Sequence, residues 1–130
     1  MTVTLTDQDK ATLRNAAYGA VSLMAAADRA PHKASTNGTI ALTSATGLVG
    51  HVLTAKSRDI QLTGKTVADL ADQVLPTLTA AMTLLREQDP AEADNFRATI
   101  QVAIESAAGA EPSPTSAEMA RKITSALDAA

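Results

Sequence analysis

Apolar residues recur every three or four positions along most of this chain, which is the spacing of amphipathic helices. The first such run follows Thr6, whose pairing with Asp9 resembles a capping box. In a capping box, the side chain of the first residue and the side chain three positions later each accept a hydrogen bond from the other residue's backbone. The pattern therefore predicts a first helix from about Asp7 to Ala27.

The apolar arc of this first helix is broad, because Tyr18, Val21 and Ala25 extend the stripe sideways. A helix this apolar is either central in the fold or lies against a partner. Aromatic side chains with a polar end are common in protein interfaces. We expect these three residues to form a contact surface for a second copy, and a homodimer is the simplest closed assembly.

The next segment, residues 28–38, contains Pro31, Gly38 and several short polar residues, which is the composition of a turn. After it, apolar residues predict a second helix from about Thr39 to Ala55. A β-hairpin at Asn37-Gly38 with a short strand near residue 40 is the competing interpretation, because several of the residues that follow are β-branched.

Two glycines, Gly47 and Gly50, fall inside this predicted second helix, where each costs about 1 kcal/mol relative to alanine. One explanation is a close helix crossing, for which Gly19 of the first helix is a candidate partner. The other is a break in the helix that exposes backbone amides to a ligand. With the predicted kink at Pro76, such a break can open a ligand cavity between the second and third helices, lined by the two glycines, His51 and Pro76.

The third helix has the clearest amphipathic stripe of the chain. It follows a connector, residues 56–65, and Thr66 with Asp69 again suggests a capping box. The stripe runs to about Gln88. Pro76 lies inside it and lacks a backbone donor, so we expect a kink there.

The last third of the chain predicts two more helices. Asp89 is a candidate N-cap, the proline that follows it suits the first helical position, and Gly109 ends the helix that they begin. A linker of residues 109–115 precedes a fifth helix, which is marked by Met119, Ile123 and Leu127.

Composition supports one domain over residues 1–130. Hydrophobic residues make up 45% of the chain, with one Tyr, one Phe, no Trp and no Cys, so the core must consist of aliphatic side chains and alanine. The sequence therefore predicts an all-α, single-domain bundle of about five helices with a kinked third helix.

Charge and hydropathy narrow the function. Nucleic acids and acidic membranes bind proteins through a clustered basic surface. A chain with a net charge of −3 is not expected to present one, so we expect neither nucleic acid nor a membrane as a partner. No secretory signal and no run of about 18 apolar residues is visible, so a cytoplasmic location is expected. Because metal-ligand spacing is also missing, we expect no metal and no cofactor.

Candidate catalytic chemistry is sparse. Ser44, His51 and Asp59 are the residue types of a catalytic triad, but the sequence around Ser44 has no nucleophile elbow of the Gly-x-Ser-x-Gly type. We expect His51 to be half-buried and structural. A hydrolase-type enzyme that uses His51 with Asp59 or Arg58 is the weakest hypothesis.

Two charged clusters lie in the predicted loops. One is basic and one is acidic, and in an up-and-down bundle we expect them to be neighbours at one end, where they compensate each other. The basic cluster is Arg29, His32 and Lys33, and the acidic cluster is Glu87, Asp89, Glu92 and Asp94.

The leading hypothesis is a small non-catalytic bundle that acts through protein contacts, with self-association foremost and any other protein partner unspecified. The alternative is a small-ligand-binding bundle with its cavity between the second and third helices.

Overall fold

The computed structural model describes residues 5–55 and 59–130, and its regular structure in these ranges is entirely helical. The all-α prediction is confirmed, with six helices rather than about five. They are α1 (Asp7–Ala27), α2 (Pro31–Thr43), α3 (Gly47–Thr54), α4 (Val67–Gln88), α5 (Pro90–Ala108) and α6 (Pro114–Asp128).

Three helices begin where their capping residues predict. Asp9 N donates to Thr6 Oγ1 at 3.0 Å, and the Asp9 carboxylate accepts from Thr6 N at 3.1 Å, which completes the capping box of α1. Thr66 Oγ1 accepts from Asp69 N at 3.1 Å at the start of α4. At the start of α5, Asp89 Oδ1 accepts from Ala91 N, two residues on, at 3.1 Å, and Gly109 ends that helix with a φ of 77°.

The predicted second helix, Thr39 to Ala55, and the turn before it are wrong. Pro31 is the first residue of α2, a position where its fixed φ is favourable and its missing N–H is not needed. Gly38 continues the helix because its bare backbone packs against α1, where a Cβ atom would lie 2.9 Å from a Val21 methyl group. No strand forms near residue 40 in the described ranges.

The two glycines of the predicted second helix shape the break between α2 and α3. Gly47 has a φ of +70°, which favours glycine. A Cβ atom on Gly50 would lie 2.2 Å from the carbonyl oxygen of Ala45, so the chain can turn this sharply only without a side chain there. Gly19 packs instead against Val74 of α4, where a Cβ atom would lie 2.6 Å from a methyl group.

α2 and α5 run antiparallel over one side of the molecule. A Cβ atom on Gly38 would meet Ala107, near the end of α5, whereas Ala41 and Ser44, at the end of α2, lie beside Ala98, earlier in α5. α6 returns antiparallel to α5, because Arg97 pairs with Asp128 while residues later in α5 lie beside earlier residues of α6. Among the described residues, the apolar side chains buried between the helices are aliphatic apart from Phe96, and the buried polar residues are Arg14, Thr99 and Ser116.

This arrangement corrects the expectation that the two charged clusters are neighbours. Lys33 lies at the start of α2 beside the segment from Ala107 to Glu111. Glu92 lies at the other end of the α2–α5 pair, at the beginning of α3. The clusters therefore lie at opposite ends of the bundle, because α2 is a helix where the sequence predicted a turn.

Pro76 is an exposed residue of α4, which continues through it from Val67 to Gln88. Thr77 Oγ1 donates to the Gln73 carbonyl at 2.9 Å, and Thr79 Oγ1 donates to the Ala126 carbonyl of α6 at 2.6 Å. The kink at Pro76 stays a prediction. Among the described residues, no helix has both the length and the hydropathy needed to cross a membrane.

Candidate functional site

In the described ranges, α1 and α5 are the two helices that contact each of the other five helices. Val21, one of the three predicted contact residues, is only 3% exposed and packs on Gly38 inside the chain. Ala25 is partly buried against the same core. The broad apolar arc of α1 therefore serves the chain's own packing, and Val21 has almost no surface to offer to a partner.

Tyr18, the third predicted contact residue, is also engaged within the chain. Its hydroxyl donates to the carbonyl oxygen of Leu53, at the end of α3, at 2.8 Å. Burial raises the pKa of the Tyr18 hydroxyl, which keeps it protonated as a donor. The phenol thus fastens α3 to α1, where the sequence suggested a polar rim for a second copy.

A polar cluster on α1 continues this fastening. Arg14, 6% exposed, donates from Nε and Nη2 to the two carboxylate oxygens of Asp59 at 2.8 and 2.5 Å, and from Nη1 to the Val52 carbonyl at 3.2 Å. The hydrogen bonds with Asp59 raise the pKa of Arg14 above its usual range. Asn15 binds the backbone of the connector beside Asp59: its side-chain oxygen accepts from Gln61 N at 2.7 Å, and its side-chain nitrogen donates to the Asp59 carbonyl at 3.0 Å. The cluster joins α3 and the connector to α1.

The residues proposed for catalysis are not arranged as a catalytic set. His51 is exposed on α3, contrary to the expected half-buried position. Ser44 Oγ donates to the Ile40 carbonyl at 2.7 Å, and the Asp59 carboxylate is bound by Arg14. Arg58 lies outside the described residues. In the described ranges, no group of three or more His, Asp or Glu side chains is placed to hold a metal ion.

The residues predicted to line a ligand pocket do not lie together. α3 packs against α1, α2 and α5, and none of its Cα atoms lies within 8 Å of a Cα atom of α4, so Gly47, Gly50 and His51 are not in contact with Pro76. The first amides of α3 are also occupied. Glu92 accepts from Leu48 N at 3.4 Å and from Val49 N at 3.2 Å.

A different surface is left uncovered, on the outer side of the α2–α5 pair. Its two largest apolar side chains are Ile40 and Val102, which are 58% and 53% exposed and line one shallow cavity of about 480 Å³. We call this the α2/α5 surface, and it consists of Asn37, Ile40, Ala41, Ser44, Ala98, Val102 and Ser106. None of these residues is charged. Exposed apolar groups that share a patch are typical of contact surfaces.

A second uncovered region is a groove between α5 and α6 with a volume of about 530 Å³. Its charged rim consists of Glu105 on α5 and Arg121 on α6, and Arg121 is paired with Glu118. The apolar residues are Ile104, Ala108, Pro112, Ala117 and Ala120. Alanines line both walls, so the two helices leave space between them that larger side chains would fill.

Sequence reasoning missed the α2/α5 surface. Ile40 reads as an apolar position of the predicted helix that began at Thr39. Only in α2, whose buried residues are Ala34, Gly38 and Leu42, does Ile40 fall on the opposite face. Val102 likewise lies off the buried stripe of α5. The signal was a large apolar residue off the buried stripe of its helix. At Val102 this signal was already readable from the predicted helix, whereas at Ile40 it required the helix that begins at Pro31.

The chain was compared with protein-family models, curated proteins and solved structures, and none of the three comparisons found a match. Similarity therefore assigns no family, and a function has to be argued from the surfaces described above.

Proposed function

We propose that the protein is a non-catalytic helical bundle that acts through protein contacts and self-associates through the α2/α5 surface. The observation that carries this proposal is the position of Ile40 and Val102, which line the same cavity on the outer side of two packed helices and are each more than half exposed. Covering them removes apolar surface from water, at roughly 25 cal/mol for each Å² buried.

The lack of charge on the α2/α5 surface favours a second copy as the partner. In a two-fold dimer the same patch is used by both copies, so any charge near the axis meets its own like charge. A patch with only Asn, Ser, Ala, Ile and Val avoids this repulsion. Its amide and hydroxyl groups can also bond to each other across the axis, because each both donates and accepts.

The expected association is weak. Only two large side chains in each copy are exposed, whereas association costs at least about 4 kcal/mol in lost translational and rotational freedom. We therefore expect a dissociation constant in the range of about 1 to 100 μM, where monomer and dimer coexist at ordinary protein concentrations.

Sedimentation velocity over a concentration series tests the proposal. The wild-type chain should shift from a monomer of 13.3 kDa toward twice that mass as its concentration rises. Ile40→Glu should remain monomeric with unchanged helix content, because position 40 is exposed in the single chain. Val67→Glu is the matched control, since Val67 is 44% exposed at the first position of α4, where a carboxylate is favourable. A monomeric wild type, or equal loss in the two variants, would refute the proposal.

The α5/α6 groove favours a second function, the binding of a small apolar ligand. The groove is within the size range of small-molecule sites, and most of its lining surface is apolar, although Gln101, Glu105, Arg121, Thr124 and Ser125 also line it. The probe is 1-anilinonaphthalene-8-sulfonate, whose fluorescence rises in apolar surroundings. Ala120→Leu should fill the groove and lower that fluorescence, whereas Ala68→Leu, on the exposed start of α4, should not. Equal fluorescence in wild type and both variants would rule out the groove as the binding site.

A further inference from the structure

Polar contacts join α5 to α6 at intervals of about one helical turn. Arg97 Nε donates to the Asp128 carboxylate at 2.9 Å, and four residues later Gln101 Nε2 donates to Thr124 Oγ1 at 2.9 Å. Because the two helices are antiparallel, a step of four residues forward along α5 matches a step of four residues back along α6. The two contacts follow this rule, since Thr124 is four residues before Asp128. They fix which residues of the two helices lie at the same level.

The next level lies in the middle of the α5/α6 groove, and it has no such contact. Four residues after Gln101 is Glu105, and four residues before Thr124 is Ala120, and both line the groove. Glu105 is exposed, and its carboxylate has no hydrogen bond and no ion pair within the described ranges. The α5 wall of the groove therefore carries an unpaired carboxylate, and the α6 wall at the same level is an alanine that cannot bond to it.

Arg121 is the other charged residue that lines the groove, and it has a partner on its own helix. Its guanidinium binds the carboxylate of Glu118, about one turn earlier on α6. This hydrogen bond is the main cause that lowers the pKa of the Glu118 carboxyl. The pair has no net charge. The uncompensated charge among the residues that line the groove is thus the carboxylate of Glu105.

The groove is short and bounded at both ends. The residues of α5 that line it extend from Gln101 to Ala108, which corresponds to about 10 Å at 1.5 Å per residue. The hydrogen bond from Gln101 to Thr124 lies at one end, and the linker residues Gly109 and Pro112 lie at the other. A docked helix that uses two turns already spans this length and has to continue past both ends. The groove therefore fits a small molecule better than a helix of a protein partner.

We propose that the α5/α6 groove binds a small apolar primary amine whose ammonium group pairs with Glu105. The ammonium takes the place of the cross-helix partner that this level lacks, and a charge-assisted hydrogen bond to a carboxylate is stronger than a neutral one. The apolar part of the amine covers the apolar residues of the two walls, which are Ile104, Ala108, Ala117 and Ala120. This proposal rests on the second function proposed above, ligand binding in the groove, and adds the chemical class of the ligand.

Three probes of similar size and different charge test the class of ligand at neutral pH. They are 2-phenylethylamine, a cation, 2-phenylethanol, which is neutral, and 3-phenylpropionate, an anion. Titrations followed by the amide chemical shifts of ¹⁵N-labelled protein should show shifts at Ala108 and Ala120. We expect a dissociation constant of about 1 mM for the amine. The alcohol should bind up to about fivefold more weakly, because an ion pair open to water contributes modestly, and the carboxylate more weakly still.

Glu105→Gln should remove the preference for the amine, so that 2-phenylethylamine and 2-phenylethanol bind equally. The same change should strengthen the binding of 1-anilinonaphthalene-8-sulfonate, since it removes a carboxylate that repels the sulfonate. Glu87→Gln, which neutralises an exposed carboxylate on α4, is the matched control and should leave the preference unchanged. Arg121→Met should also leave it unchanged, because Arg121 is already paired.

The failure of the amine class differs from the failure of the groove. If Ala120→Leu weakens all three probes but the amine binds no better than the alcohol, the groove binds ligands and the amine class is wrong. Tightest binding of 3-phenylpropionate, or a preference for the amine that survives Glu105→Gln, would overturn the class as well. If none of the three probes shifts the amides of the groove at about 10 mM, both the class and the groove function are wrong.

Discussion

The two faces of α2 carry apolar groups in different surroundings. On the inner face, Gly38 lies against Val21 of α1, and Leu42 is fully buried. On the outer face, Ile40 has most of its side chain in solvent. The contrast shows that apolarity alone does not identify a contact surface. The apolar arc of α1 is buried by the other helices, whereas the smaller patch on the outer side of α2 and α5 is exposed.

The largest predicted loss of stability comes from a substitution at Val21, which packs against the inner face of α2. Val21→Glu places a carboxylate in the core between α1 and α2, so we expect a loss of about 4 kcal/mol in the free energy of unfolding, or no folding at all. Circular dichroism with urea titration measures it. A folded Val21→Glu monomer of wild-type stability would show that Val21 faces outward and that the comparison is wrong.

The polar residues of α1 should also stabilise the single folded chain, because they attach α3 and the connector to α1. Arg14→Met removes three hydrogen bonds from a buried guanidinium, and we expect a loss of about 2 kcal/mol, since the Asp59 carboxylate keeps partial access to water. Arg121→Met, at an exposed pair, should change stability by less than about 0.5 kcal/mol. Equal effects in the two variants would mean that the α1 cluster does not fasten α3.

Gly38→Ala tests how closely α2 approaches α1. Alanine is normally favoured over glycine in a helix by about 1 kcal/mol. Here the added Cβ atom would lie 2.9 and 3.0 Å from the two methyl groups of Val21, so we expect a net loss of about 1 to 2 kcal/mol. Thr36→Ala on the exposed side of the same helix is the control and should be neutral or stabilising. A stabilising Gly38→Ala would indicate looser packing.

Tyr18→Phe should have the smallest effect on folding. It removes the hydrogen bond to the Leu53 carbonyl and should cost about 1 kcal/mol. Burial raises the pKa of this hydroxyl above 10.0, so the protonated form is favoured in the folded state. The stability it contributes is therefore complete below pH 10 and is lost as pH rises through the raised pKa. Urea titrations of wild type and Tyr18→Phe should converge at high pH, and a constant difference would contradict this role.

How much could be predicted from the sequence differed between segments. α1, α4 and α5 each begin at a side-chain cap and end near the predicted residue, because these signals are local. The segment from residue 28 to residue 55 was misassigned, because Pro31 and Gly38 are local turn signals, whereas the packing of Gly38 against Val21, which is distant in sequence, is not visible locally. The same error hid the α2 half of the α2/α5 surface, since Ile40 is exposed because Ala34, Gly38 and Leu42 on the opposite face of α2 are the buried residues. Tertiary packing thus determines the helix boundaries between residues 28 and 55, which local composition does not determine.

The most direct test of self-association through the α2/α5 surface uses single cysteines, which the natural chain lacks. Ile40→Cys, treated with a short bis-maleimide at about 50 μM protein, within the range of the expected dissociation constant, should form a covalent dimer. Val67→Cys should not, and adding Val102→Glu to Ile40→Cys should abolish the product. A covalent dimer from Val67→Cys in equal yield, or none from Ile40→Cys at any concentration, would contradict the account.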